Sequence, residues 1–143
     1  MKKSNYKKIA KDVVQKEIDG LKKLKSSIGR SFDKIIKTIL GCKNGKVIIS
    51  GVGKSGIIAK KIASTLSSVG TPAFYVDASS CSHGDLGQIS SNDLLILISY
   101  SGETEELKNI IQFANRNKKI KLIGIVSKKN SLLNKNSTAS CKS

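Results

Sequence analysis

The sequence predicts an α/β protein whose parallel sheet is covered by helices on both faces. Three observations carry that prediction. Short β-branched or aliphatic runs alternate with helix-period segments from residue 46 onward. One run, residues 94–98 (LLILI), is apolar throughout, as a strand buried on both faces must be. Two of the runs, at 46–50 and 94–98, lead through a loop of small residues straight into a helix pattern. That is the order of a β–α–β crossover, which chain chirality makes right-handed.

The elements follow in order. Residues 5–27 read as an amphipathic helix, with Ile9, Val13, Ile18, Leu21, Leu24 and Ile28 at helical spacing and lysines between them. Its stripe carries no aromatic residue, so packing on a core or a partner subunit is expected rather than a place on a membrane. Ser31 is expected to cap a second helix with Phe32, Ile35, Ile36, Ile39 and Leu40 on its inner face. Gly41 closes it, and Asn44-Gly45 makes a turn. Residues 46–50 (KVIIS) form the first strand. A helix follows with Ile58, Ile62, Leu66 and Val69 inward, ended by Gly70. Residues 72–76 (PAFYV) form the second strand, and a loop of small residues runs from 77 to about 91. Residues 94–98 are the third strand, and a helix with Leu107, Ile110, Ile111 and Ala114 inward comes next. Residues 121–126 (KLIGIV) are the fourth strand, and 127–143 is a polar tail. The expected organisation is a pair of N-terminal helices over residues 1–45 and an α/β core over 46–143.

The chain has 143 residues and a net charge of +16, from 26 Lys and Arg against 10 Asp and Glu. The charge is not where a nucleic-acid site would need it. Residues 1–46 hold 14 basic and 4 acidic side chains, residues 47–114 hold 4 and 6, and residues 115–143 hold 8 and none. Only Arg30 and Arg116 are arginines, and aromatic residues make up 4%. Base readout favours arginine, and single-strand binding needs aromatic platforms. A solvated lysine surface is therefore the expectation, with no nucleic-acid partner. Cys42, Cys81 and Cys141 lie far apart, and His83 is the only histidine, so no metal site is expected. The unpaired cysteine count fits a reducing cytoplasm. The first 14 residues lack the apolar stretch of a signal peptide, and no apolar run could span a bilayer.

In sheets of this kind ligands bind beyond the carboxyl ends of the strands. Three loops lie there. The first is Gly51-Val52-Gly53-Lys54-Ser55-Gly56. It satisfies G-x-G-x-x-G between a strand and a helix, with Asp77 placed where a ribose-binding acid of a dinucleotide fold would sit. It fails as a P-loop, because Ile48 stands where the first glycine belongs. The plainer alternative is a tight turn that needs small residues. Otherwise the helix start at Ser55 offers free amides to an anion, and Lys54 adds a charge. The second loop is Ser99-Tyr100-Ser101-Gly102-Glu103-Thr104. Ser99, Ser101 and Thr104 can converge with helix amides on one phosphate, and Gly102 lets the backbone approach. A capped helix alone would explain one hydroxyl, not three with a glycine. The remaining loop holds His83-Gly84-Asp85-Leu86-Gly87. His83, Glu103 and Lys54 together can supply a base, an acid and an oxyanion partner.

Taken together, GVGKSG, KKIASTLSSVGTPAFYV, HGDLG and SYSGET resemble the SIS (sugar isomerase) domain family, and within it the arabinose-5-phosphate isomerases. The resemblance covers residues 5–136 and displaces the dinucleotide reading. It implies a three-layer flavodoxin-like sheet of five parallel strands and a homo-oligomer. It also implies reversible conversion of D-ribulose 5-phosphate to D-arabinose 5-phosphate through an enediol, without cofactor or metal. The product would feed the eight-carbon sugar acid Kdo of lipopolysaccharide or of capsules. Carried over by position, Ser99, Ser101 and Thr104 are the phosphate ligands, helped by Gly102. Gly53, Lys54 and Ser55 assist substrate binding, and Glu103 and His83 are the acid–base pair in unassigned order. The alternative is a non-catalytic module that binds a phosphosugar for regulation. Tyr100 stands where relatives often carry Asn, and Ser80 where they often carry Glu. The family pattern continues beyond residue 143 with further helices and usually a pair of CBS domains. The chain is therefore expected to be C-terminally truncated, with four strands present and the fifth missing.

Overall fold

The computed structural model describes residues 5–81 and 83–142. These form two compact units, Met1–Arg30 and Ser31–Ser143. The first is a single helix, α1 (Tyr6–Ser27), begun by Asn5, whose side chain accepts the Lys8 amide at 3.1 Å. No side chain of α1 is buried. Its apolar stripe is present as the spacing predicts, and Ile9, Val13, Leu21 and Leu24 are exposed along it.

The second unit contains α2 (Arg30–Leu40) from Ser31 onward, then β1 (Val47–Gly51), α3 (Lys54–Ser68), β2 (Ala73–Tyr75), a short α4 (Ala78–Cys81) and a 3₁₀ turn at Asp85–Gln88. There follow β3 (Leu94–Ser99), α5 (Glu105–Arg116), β4 (Lys121–Val126), α6 (Leu132–Asn136) and β5 (Ala139–Lys142). The strands pair in the order β2-β1-β3-β4-β5, every pair parallel. That is the flavodoxin-like order, with its reversal between β1 and β3. All six residues of β3 are buried, and its side chains alternate between two cores. Leu95 and Leu97 join Ile48, Leu122 and Val126 under Leu107, Ile110 and Ile111 of α5 and Leu133 of α6. Leu94, Ile96 and Ile98 join Val47, Ile49 and Ile123 under Ala59 and Ala63 of α3 and Ile35 of α2. Each large aliphatic side chain so enclosed contributes about 1.5–3 kcal/mol, an upper bound given a compact unfolded chain.

Three expectations are corrected. α3 does not turn Ile58 and Val69 inward; they are 52% and 72% exposed. It buries Gly56, Ala59 and Ala63 instead, with Ile62 and Leu66 half-buried. The reason is distance: a Cβ on Gly56 would stand 2.7 Å from the Gly51 carbonyl oxygen, so only a small-residue face can lie that close to β1. In α2, Ser31 lies inside the helix rather than capping it, and only Ile35 is buried. Phe32, Ile36 and Leu40 remain exposed. Finally, the fifth strand is present. β5 pairs with β4 from Ile123↔Ala139 to Val126↔Lys142, and the Thr138 amide leads it in by bonding the Leu122 carbonyl at 2.7 Å. Its polar, small residues suit an edge strand, which needs no apolar run. Gly124 makes room for α6, which leads into β5, because a side chain there would collide with Ser137 and Leu133.

Candidate functional site

The reversal of strand order leaves a crevice beyond the carboxyl ends of β1 and β3, and two of the three loops singled out by sequence flank it. On the β1 side, Gly53 has φ 57° and ψ −123°, a backbone conformation open in practice to glycine alone. That turn starts α3 at Lys54 with no side-chain cap. Its first amides are thus left for an outside acceptor. Ser55 is half-buried and Lys54 exposed. Gly51 has no room for a Cβ, which would stand 2.9–3.0 Å from the Ser55 carbonyl group and the Ile98 oxygen. The first loop is therefore pressed against the end of β3.

On the β3 side, Ser99 is buried at the strand end. Its Oγ accepts the Gly102 amide at 2.9 Å and shares a hydrogen bond with Thr104 Oγ1 at 2.7 Å. Thr104 occupies the cap position of α5 but makes no side-chain cap bond, because its hydroxyl is turned to Ser99. Ser101 Oγ accepts the Glu103 amide at 3.2 Å. The three hydroxyls thus sit in one turn at the start of a helix without a side-chain cap, and a second such helix start, that of α3, lies across the crevice. Gly102, at φ 68°, abuts Ser131.

Residues 39–141 match the family model described as the SIS domain. The chain belongs to the SIS domain family. A Rickettsia prowazekii protein, RP505, is 46% identical over 134 residues, or 94% of this chain and 41% of its own length. A protein named probable arabinose 5-phosphate isomerase, from Haemophilus influenzae, is 42% identical over 129 residues, or 90% of this chain and 38% of its own length. Among solved structures, Escherichia coli CFT073 c3406 in complex with arabinose 5-phosphate superimposes with a TM-score of 0.90 at 34% identity, covering 99% of this chain and 74% of that one. The chain spans about two-fifths of the length of the curated relatives it matches.

Within the SIS fold, sequence-predicted residues separate into two groups. Ser99, Ser101, Gly102 and Thr104 form one hydrogen-bonded turn, with Gly53 and Ser55 on the facing loop. Lys54 and His83 are exposed, and among the described residues no hydrogen bond or ion pair ties their side chains to that turn. The His83 amide donates to the Ser80 carbonyl at 2.9 Å, on the segment that leaves the carboxyl end of β2. Glu103 has a role that its position in the sequence does not reveal: its Oε1 accepts the amide of Leu132, the first residue of α6, at 2.8 Å. The next α6 amide, that of Leu133, donates to the Gly102 carbonyl at 3.1 Å. The hydroxyl turn is therefore docked on the start of α6. Ser131, buried at that helix's cap, is the site neighbour that sequence reasoning missed. A serine directly before the Leu132-Leu133 pair was the available signal.

Asp77 has local backbone and side-chain partners at the end of β2. Its carboxylate accepts the Ser79 amide at 2.9 Å and the Tyr75 hydroxyl at 3.2 Å, opening α4. Those bonds, the Ser79 amide first, hold its carboxyl below the usual range against a smaller opposing effect of burial. Burial, reinforced by Asp85 and Asp77, pushes the Cys81 thiol up to about 11, which leaves it a poor nucleophile. Among the described residues no group of three His, Cys, Asp or Glu side chains is placed to hold a metal ion. No described helix is long and apolar enough to cross a membrane.

Proposed function

We propose that this chain is the phosphosugar-binding core of an aldose–ketose isomerase that interconverts D-ribulose 5-phosphate and D-arabinose 5-phosphate. The hydroxyl turn of Ser99, Ser101 and Thr104, set between two helix starts without side-chain caps at the strand-order reversal, is the observation that carries this reading. It offers neutral donors and helix amides to a phosphate dianion. Gly53, Lys54 and Ser55 face it from the other loop. With the phosphate held, the sugar carbons extend toward Glu103 and His83. One of these takes a proton from carbon 1 of the ketose, giving an enediolate. Returning a proton at carbon 2, while the hydroxyl proton passes from oxygen 1 to oxygen 2, yields the aldose. Lys54 stabilises the negative oxygen of the intermediate. Proton transfer of this type contributes roughly 10²–10⁴-fold. The name of the Haemophilus relative and the sugar phosphate bound in the Escherichia coli structure support the same substrate. The reaction would run in the cytoplasm and supply the eight-carbon sugar acid of lipopolysaccharide or capsule. Exposed Ile57, Ile58, Val69 and Leu40 support assembly as a homo-oligomer.

One observation favours a second reading, a regulatory module that binds the sugar phosphate without converting it. Glu103 is held by the Leu132 amide, and among the described residues no bond links it to His83. An isomerase assay on ribulose 5-phosphate, with direct binding of arabinose 5-phosphate, separates the two. It is run on this chain and on a version extended to the length of its relatives. Glu103→Gln and His83→Asn are expected to lose turnover and keep sugar-phosphate binding. Either variant, if folded and fully active, removes that residue from the mechanism. Binding without turnover in both lengths establishes the module.

A further inference from the structure

The opposite edge of the sheet carries a second cavity. It has a volume of about 360 Å³ and lies where the strands begin, between the turn after α2, the turn before β3 and the start of β4. Lys43, Lys119 and Lys121 line it, with Asn44, Ser91 and Asn92 among its neutral polar groups. Among the described residues none of the three lysines makes an ion pair.

The walls are fixed by a buried carboxylate. Asp93 is 3% exposed and, among the described residues, is the only acid lining the cavity. Its Oδ1 accepts the Lys46 amide at 3.0 Å, and its Oδ2 accepts Lys46 Nζ at 2.6 Å and the Ser90 amide at 2.7 Å. One side chain thus joins the turn after α2 to the turn before β3. Gly45 packs on the Asn92 carbonyl so closely that no side chain would fit. Because Asp93 is neutralised by Lys46, it offsets none of the other three lysines, and the cavity keeps a local charge of +3. A groove that shares Ser91 and Lys119 with it adds Arg116 and Lys118.

We propose that this cavity binds a small molecule carrying at least two phosphate groups. A single phosphate brings a charge of about −1.5 to −2 near neutral pH, and two bring about −3 or more, which matches the three free lysines. The cavity is of ligand size and its walls are tied together before any ligand arrives. Lysine supplies the charge and the asparagine amides can supply neutral donors. The site is remote from the hydroxyl turn and needs no part of the isomerase reading.

Calorimetric titration of the full chain tests it, with pyrophosphate, inorganic triphosphate, a nucleoside triphosphate and the matching nucleoside as probes. Binding of pyrophosphate and of both triphosphates, but not of the nucleoside, is expected, and it should weaken as salt rises. Tighter binding of the nucleoside triphosphate than of inorganic triphosphate identifies a nucleotide as the source; equal binding identifies the phosphate chain alone. The variant K43Q/K119Q/K121Q, folded as judged by circular dichroism, should bind pyrophosphate on the order of tenfold more weakly or worse, and arabinose 5-phosphate unchanged. No pyrophosphate binding by the parent chain overturns the proposal. So does an unchanged affinity in the triple variant, or displacement of pyrophosphate by arabinose 5-phosphate, which would place the anion on the hydroxyl turn.

Discussion

Replacing Gly102 by alanine tests the docking of the hydroxyl turn on α6. Gly102 has φ 68°, and a non-glycine residue in that region costs roughly 1–2 kcal/mol. The added methyl would also overlap Ser131 Oγ and Cβ and stand 3.4 Å from Val126 Cγ1. Overpacking of this kind costs about 1–3 kcal/mol. The two together predict a loss of roughly 2–5 kcal/mol in urea unfolding, and a fall in Tm of about 5–15 °C for a chain of this size. The partition can be checked separately. Ser131→Gly removes both overlapping atoms and, as a cap replacement, costs only a few tenths of a kcal/mol alone. The double variant G102A/S131G should relieve the overlap and keep the backbone cost, so the cycle shows a favourable coupling of about 1–3 kcal/mol. A Gly102→Ala chain within about 0.5 kcal/mol of the parent would refute the geometry described for this turn. A cycle without coupling would refute the contact with Ser131.

Two further outcomes concern groups outside the turn. Burial raises the Asp93 carboxyl, but the bonds from Lys46 and Ser90 outweigh it and leave the group below its ordinary value of 3.8. Its contribution to stability is therefore complete above about that pH and is lost as pH falls through the lower folded value. Asp93→Asn should lower urea stability at neutral pH by about 2–4 kcal/mol, and its stability should fall less steeply than the parent's below pH 4, measured as urea midpoint against pH. Cys81, with its thiol near 11, has roughly one thiolate in a thousand at pH 8. It should resist iodoacetamide in the folded chain and react fully in urea, as read by peptide mass spectrometry.

The parts of this fold that are plain in the sequence are those where one physical demand acts alone. The run at 94–98 has to be apolar on both sides, and it is β3. Leu107, Ile110, Ile111 and Ala114 face the core of α5 because a helix on a flat sheet needs one wide stripe. Legibility fails where two demands compete. α3 has two candidate faces, and periodicity favours the one with larger side chains. Close approach at Gly51 and Gly56 selects the small face instead, a tertiary constraint that no periodicity reports. β5 is hidden because an edge strand beside a lysine-rich tail can be polar. The site divides in the same way. The hydroxyls of Ser99, Ser101 and Thr104 stand close together in sequence, so their cluster is readable. The tie from Glu103 to Leu132 depends on a helix that the polar tail conceals. Asp77 invites assignment to a ligand because its partner, the Ser79 amide, has no signature.

That tie also orders events in time. Glu103 meets its partner amide 29 residues further along the chain. While the protein is being made, β3 and the first turn of α5 leave the ribosome well before Leu132 does. Until then the backbone around Gly102 lacks the α6 contacts that complete its final shape. The central strands can pair early, whereas the hydroxyl turn matures only once the last crossover is in place. A nascent chain arrested before residue 132 would hold most of the sheet and an unfinished site.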